Sequence, residues 1–226
     1  MATTLAQLKE RCRSRADMPD SNGFVSDAEL LSFINQSYAE LYDILVSRFE
    51  DYFTITTTLV ASGGAGTLTL PTDFYKLRGL DIDQGGGSFL QLSKFNFERR
   101  NRGSLHVLTN VGYYSDVEYR IMANEVILSP TDSSDGSYKL WYVPQVAFLA
   151  NDTDVLVIQQ AWDEYIVLDA TRKMLLKEES STTAIEREKE ALIERIESMS
   201  RDRDIDQPET VSDVYDRGFT DPFSLN

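Results

Sequence analysis

Three carboxylates stand close together around a proline: Asp73 in LTLPTDFYKL, and Asp81 and Asp83 in RGLDID. A pair of carboxylates can divide general acid and general base work between them, the chemistry of a carboxylate-dependent hydrolase. Strand alternation puts Asp81 and Asp83 on one face and Leu80 and Ile82 on the other, which is also the ordinary pattern of a half-exposed strand. Asp73 follows Pro71, whose fixed φ and missing N–H end a strand, and its side chain is expected to cap a tight turn. Nucleophilic chemistry has less to work with. The chain holds one histidine, His106 in SLHVLT, and one cysteine, Cys12. No Gly-x-Ser-x-Gly accompanies His106, and a zinc site of His and Cys fails by count. DGS at 135–137 lacks the spaced ligands of a calcium loop. SGGAG and QGGG lead into strands, where a phosphate cradle needs a helix. Arg99, Arg100 and Arg102, beside Phe95 and Phe97, form the one local basic cluster; it reads as a solvated turn that could touch nucleic acid or an acidic face. These residues assemble no catalytic constellation, and the expectation is a protein without enzymatic activity, cofactor or metal.

The elements that would position them are helices at both ends and strands between. Thr4-Leu-Ala-Gln7 fits a capping box, followed by Leu5, Leu8, Cys12 and Ala16 at helical spacing. Ser26-Asp-Ala-Glu29 is a second box, flanked by Val25 and Leu30 as a hydrophobic staple, and opens an amphipathic helix over about 27–50. Residues 54–61, 66–70, 77–82, 116–122, 125–129 and 137–143 read as short strands separated by turn-formers, which predicts an antiparallel sheet or small sandwich. KFNFERRNRG is read as up to one helical turn. Helix returns from about 158 to 179, with Asp163 and Glu164 in its first turn and Lys173 and Lys177 near its end, as the helix dipole favours. Thr183-Ala-Ile-Glu186 is a third capping box, and Ile185, Leu192, Ile196 and Met199 trace a thin stripe suited to an edge or intersubunit helix.

The predicted fold class is therefore α+β. Its N- and C-terminal helices form a helical bundle, an antiparallel β module is inserted between them, and an extended tail closes the chain. The corresponding divisions are 1–52, 53–156, 157–203 and 204–226. The net charge of −15 is uneven, with 14 Asp or Glu against 6 Lys or Arg in residues 178–226. A compact acidic protein brings like charges to DNA phosphates, so general DNA binding is not expected. No apolar run reaches the length of a membrane span and the first residues do not read as a signal peptide. The lone cysteine suits a reducing compartment or a particle assembled there. The tail has no hydrophobic period and is expected to order only on a partner. It nonetheless carries Tyr215, Phe219 and Phe223 at four-residue intervals, and these are the candidate partner-binding residues.

Four stretches together resemble the head-to-tail adaptor (connector) proteins of tailed bacteriophages. They are LKERCRSRADMPDSNGFVSDAELLSFINQSYAELYDIL; LTLPTDFYKLRGLDI with SKFNFERRNR; YRIMANEVILSPTDSSDGSYKLWYVPQ; and AWDEYIVLDATRKMLLKEES continuing into IERIESMSRDRD. Their succession covers most of the chain. The resemblance implies a structural virion protein at the head–tail junction, made in the host cytoplasm. It implies a ring, usually twelvefold, that joins the portal protein to the tail or nozzle protein and lets DNA pass through its lumen without specific binding. It also implies a C-terminal segment that reaches the portal, for which residues 204–226 are the candidate. A tail-completion or tail-tube protein of the same particle is the alternative within that class.

Overall fold

The computed structural model describes residues 3–19, 24–99, 117–130, 134–158 and 162–201. Helix α1 (Leu5–Ala16) starts at the predicted box: Thr4 Oγ1 accepts from Gln7 N, and Thr4 N donates to Gln7 Oε1 at 3.0 Å. It stops where Asp17 turns left-handed at φ 55°. Helix α2 (Asp27–Arg48) starts at the second box, with Ser26 N donating to the Glu29 carboxylate at 3.1 Å. Leu30, Ile34, Tyr38, Leu41 and Leu45 form its buried stripe. A short α3 (Glu50–Phe53) follows. Helix α4 (Asp163–Lys177) is surrounded by α1, α2 and α5 (Thr183–Arg201), so seven consecutive residues, Tyr165 to Thr171, are buried. The third predicted capping box does not form as such. Thr182, not Thr183, precedes α5, and its hydroxyl donates to Glu186 at 2.8 Å.

Among the described residues eight strands lie between the helices: β1 (Ile55–Ala61), β2 (Thr67–Thr69), β3 (Phe74–Gly85), β4 (Ser88–Gln91), β5 (Ser93–Lys94), β6 (Glu118–Met122), β7 (Glu125–Ser129) and β8 (Gly136–Pro144). They form two four-stranded sheets, ordered β1-β8-β3-β4 and β2-β7-β6-β5. The first is antiparallel throughout; in the second, β5 runs parallel to β6. Leu80, Ile82, Tyr138 and Leu140 from the first sheet share one core with Leu68, Tyr119, Val126 and Leu128 from the second.

The expected architecture, a terminal helical bundle carrying one inserted antiparallel β module, needs correction, although the class is α+β. The strands make two sheets, one of them mixed. The helical core does not close on helices alone, because Val143 of β8 and Leu149 and Leu156 of the following connection belong to it. The physical reason is that β8 runs straight from the sheet into the helical layer. Tyr42 of α2 donates to Pro144 O at 2.7 Å, Asn35 Nδ2 donates to Leu149 O at 2.9 Å, and Leu5 N of α1 donates to Asp154 O at 2.9 Å. The connection supplies the backbone partners that the first turn of α1 lacks.

Ile82 is fully buried in the two-sheet core, whereas Val60 on β1 is 68% exposed. Ile82→Ala is expected to cost roughly 2–5 kcal/mol through lost burial and a residual cavity. Val60→Ala is expected to stay within about 0.5 kcal/mol. Denaturant unfolding of both variants checks the pair; comparable losses would contradict a core between the sheets.

Candidate functional site

Asp73 is placed apart from Asp81 and Asp83. Asp73 immediately precedes β3, while Asp81 and Asp83 lie far along it. At a rise of about 3.3 Å per residue, Asp81 and Asp83 lie roughly 26 and 33 Å along the chain from Asp73. Each has its own structural partner. The Asp73 carboxylate accepts from the Tyr142 hydroxyl at 3.1 Å, so it anchors β8 and does not cap a turn as expected. Asp81 accepts from Trp141 Nε1 at 2.6 Å, and Asp83 accepts from Gly85 N at 2.8 Å, which holds the turn before β4. Asp81 and Asp83 do share the outward face, with Leu80 and Ile82 buried beneath. A shallow groove over that face is lined by Asp51, Arg78, Asp81, Phe89 and Trp141. Arg78 pairs there with Glu50 and Asp51, so its charge is already engaged. His106, Arg100, Arg102, the side chain of Arg99, and the tail with Tyr215, Phe219 and Phe223 lie outside the described residues. Phe97–Arg99 forms a single 3-10 turn, as the sequence suggested.

The charged centre that the sequence reading missed is Asp169, in the middle of α4. Its side chain is fully buried. Lys173 Nζ lies 2.7 Å and Lys189 Nζ 2.6 Å from its oxygens, Arg172 NH2 lies 3.1 Å away, and Ser37 Oγ of α2 lies 2.8 Å away. Glu40 of α2 balances the same lysines, at 3.0 Å from Lys173 and 3.7 Å from Lys189. The cluster thus joins α2, α4 and α5. Burial by itself would raise the Asp169 carboxyl, but hydrogen bonds from Lys173, Lys189 and Ser37 outweigh it and hold the group well below the usual carboxylate range. Burial would likewise lower the Lys189 ammonium, and the hydrogen bond to Asp169 and the contact with Tyr165 raise it instead. A carboxylate so strongly depressed is a poor proton acceptor near neutrality, so this cluster is built to hold helices and not to act as a general base.

A second ionic group closes the other end of α4. Arg11 of α1 reaches Asp163 at 2.7 Å and also pairs with Glu164, while Thr3 Oγ1 donates to Asp163 at 2.7 Å. Arg15 bridges Glu164 and Glu188 of α5. Burial is the largest influence on Arg11 and would lower it, yet its bonds to Asp163 and Glu164 raise it. Among the described residues no group of three or more His, Cys, Asp or Glu is arranged to hold a metal ion, and no helix is long and apolar enough to cross a membrane.

Among the described residues the charged clusters join one element to the next, and the group around Arg11, Arg15, Asp163 and Glu164 lines an open groove of about 710 Å³ between α1 and α4. The model of the SU10 adaptor protein family matches residues 3–212, and the chain belongs to that family, one of bacteriophage head-to-tail adaptor proteins. It is accordingly a structural adaptor of the phage virion, of a family that associates with portal and tail proteins. A search of curated proteins finds no match.

Asp169→Asn removes the charge that two lysines share and is expected to cost roughly 3–5 kcal/mol at neutral pH, as when one partner of a buried ion pair is lost. Because the folded carboxyl titrates below its unfolded value of about 3.9, its contribution is complete above that value and is lost as pH falls. The stability gap between wild type and variant should therefore narrow below about pH 4. Denaturant midpoints across pH measure this; a gap that widens in acid would contradict the assignment.

Proposed function

We propose that this chain is the ring-forming unit of a head-to-tail adaptor, joining the portal to the tail or nozzle protein around the passage for DNA. The observation that carries the reading is the family match over residues 3–212, which spans every described element and continues into the acidic tail. It favours the adaptor over a tail-tube or tail-completion protein. The hydrolase alternative loses Asp73 by its distance from the other two, while Asp81 and Asp83, though on one face, are each held by a structural partner, Trp141 Nε1 and Gly85 N. The physical properties agree with the reading. A net charge of −15 disfavours adhesion to DNA phosphates, as a lumen that DNA must traverse requires. The same charge sets free copies against one another, so the chain stays monomeric until the portal gathers it. Over residues 183–199 of α5 one apolar side chain, Ile196, is fully buried and the others are half-buried or exposed. Residues 204–226 are the portal-binding segment, with Tyr215, Phe219 and Phe223 as anchors that order on contact.

Sedimentation should show a monomer alone and a complex carrying many copies when purified portal rings are added. Full-length chain that leaves portal rings bare would overturn the adaptor reading. Deleting 205–226 should abolish portal capture while the thermal melt stays within a few degrees of the full chain; undiminished capture by the shortened chain would remove the tail from the interface.

A further inference from the structure

The sheet ordered β1-β8-β3-β4 ends in two strands that are each paired on one side. Among the described residues, β1 pairs only with β8, and β4 only with β3. A free strand edge is a template for another strand, and proteins usually blunt it with charge, proline, a bulge or a very short strand. β1 uses none of these. Its seven residues, ITTTLVA, carry no charge and no proline, and its register with β8 runs unbroken from Ile55 opposite Tyr142 to Ala61 opposite Gly136. β4, SFLQ, is shorter but equally uncharged. In a chain with 26% charged residues and a net charge of −15, opposite edges of one sheet are thus both free of acids. These are the places where two copies can meet with least repulsion. Val60, Phe89 and Ile55 add exposed apolar surface there, at 68%, 47% and 43%.

Strand direction decides what fits. Every pairing in this sheet is antiparallel, so its four strands alternate and β1 runs opposite to β4. A second copy carried round by rotation, with its sheet kept in line, presents β4 antiparallel to the first copy's β1. The hydrogen-bond ladder then continues across the boundary without reversal. The two edges differ, so the contact is heterologous, and repeated contacts of that kind close a ring where a self-matching contact would stop at two copies. On the outward face, Thr58, Lys139, Asp81 and Gln91 lie in one row across the four strands, which such a junction extends into the neighbour.

We propose that β1 of one copy adds to β4 of the next, making the sheet edges the seam between neighbours in the adaptor ring. This rests on the ring reading above and names the surface that builds the ring.

The test is disulfide capture in rings assembled on portal. Gln91→Cys is combined in turn with Thr56→Cys, Thr58→Cys and Val60→Cys, which samples the register in two-residue steps on one face. Within one copy these positions are three strand spacings apart, roughly 14 Å, too far for a disulfide. Cys12 is buried, and burial pushes its thiol up to about 12, so it stays out of the exchange. After oxidation, at least one double variant should give a ladder of multimers on a non-reducing gel, and each single variant should stay monomeric. Dimers from Thr58→Cys alone would mean that β1 meets β1, which overturns the seam. Rings visible by electron microscopy with no ladder from any pair would place the seam elsewhere and leave the adaptor reading standing. Failure of the wild type to form rings would instead sink the reading on which the seam depends. Thr58→Lys with Val60→Lys provides an independent arm, since both side chains are exposed. It should leave the melting temperature within a few degrees and lower ring yield at least tenfold; rings at wild-type yield would overturn the seam.

Discussion

The buried Asp169 carboxylate sets how the helical layer is assembled. A charge removed from water must be matched by hydrogen bonds and opposite charge at close range. Lys173 supplies this from α4 itself, Ser37 from α2 and Lys189 from α5. Few relative placements of three helices bring those groups within about 3 Å of one carboxylate, so the cluster specifies geometry where apolar packing alone is tolerant. The effect matters most for α5, where Ile196 is the fully buried apolar residue and Leu192 and Ile193 are only half-buried. Lys189 ties that helix to the layer where its stripe is too narrow to do so.

The same helix layer is continuous with the sheets through β8. One face of that strand contributes Tyr138 and Leu140 to the core between the sheets, and its end sends Val143 into the core among the helices. Tyr142 faces both neighbours, with its hydroxyl on Asp73 and its ring stacked on Phe74 at 6.0 Å. The connection after β8 then pins α1 and α2 by backbone and side-chain hydrogen bonds. That central strand of the first sheet and the helical layer are therefore one covalently continuous unit.

Local chemistry made much of this readable in the sequence. Thr4 with Gln7 and Ser26 with Glu29 announced two helix starts, because a capping box is a contact between residues three apart. Alternation in LDID placed Leu80 and Ile82 inward correctly. Long-range decisions were less legible. β4 and β5 follow the glycines at 85–87 and are too short to show a period, so the strands split into two sheets unannounced. The parallel pairing of β5 with β6 depends on partners far apart in sequence. Asp73 looked like a turn cap, since its partner Tyr142 lies 69 residues away. Asp169 carried one usable signal: an acid inside the apolar run IVLDATRKMLL, with Arg172 and Lys173 three and four positions on. Helical spacing showed those two partners, but Ser37 and Lys189 come from other elements and only the fold could supply them.

The chain belongs to the adaptor family, whose members associate with portal and tail proteins. Its ionic clusters are spent internally, its net charge discourages contact with DNA, and its uncharged strand edges face outward. The most direct measurement of that role is cryo-electron microscopy of the intact virion, resolved well enough to fit this fold. The account predicts density for a ring of these chains between portal and tail, surrounding the DNA channel. Absence of the chain from the head–tail junction, or its presence elsewhere in the particle, would contradict it.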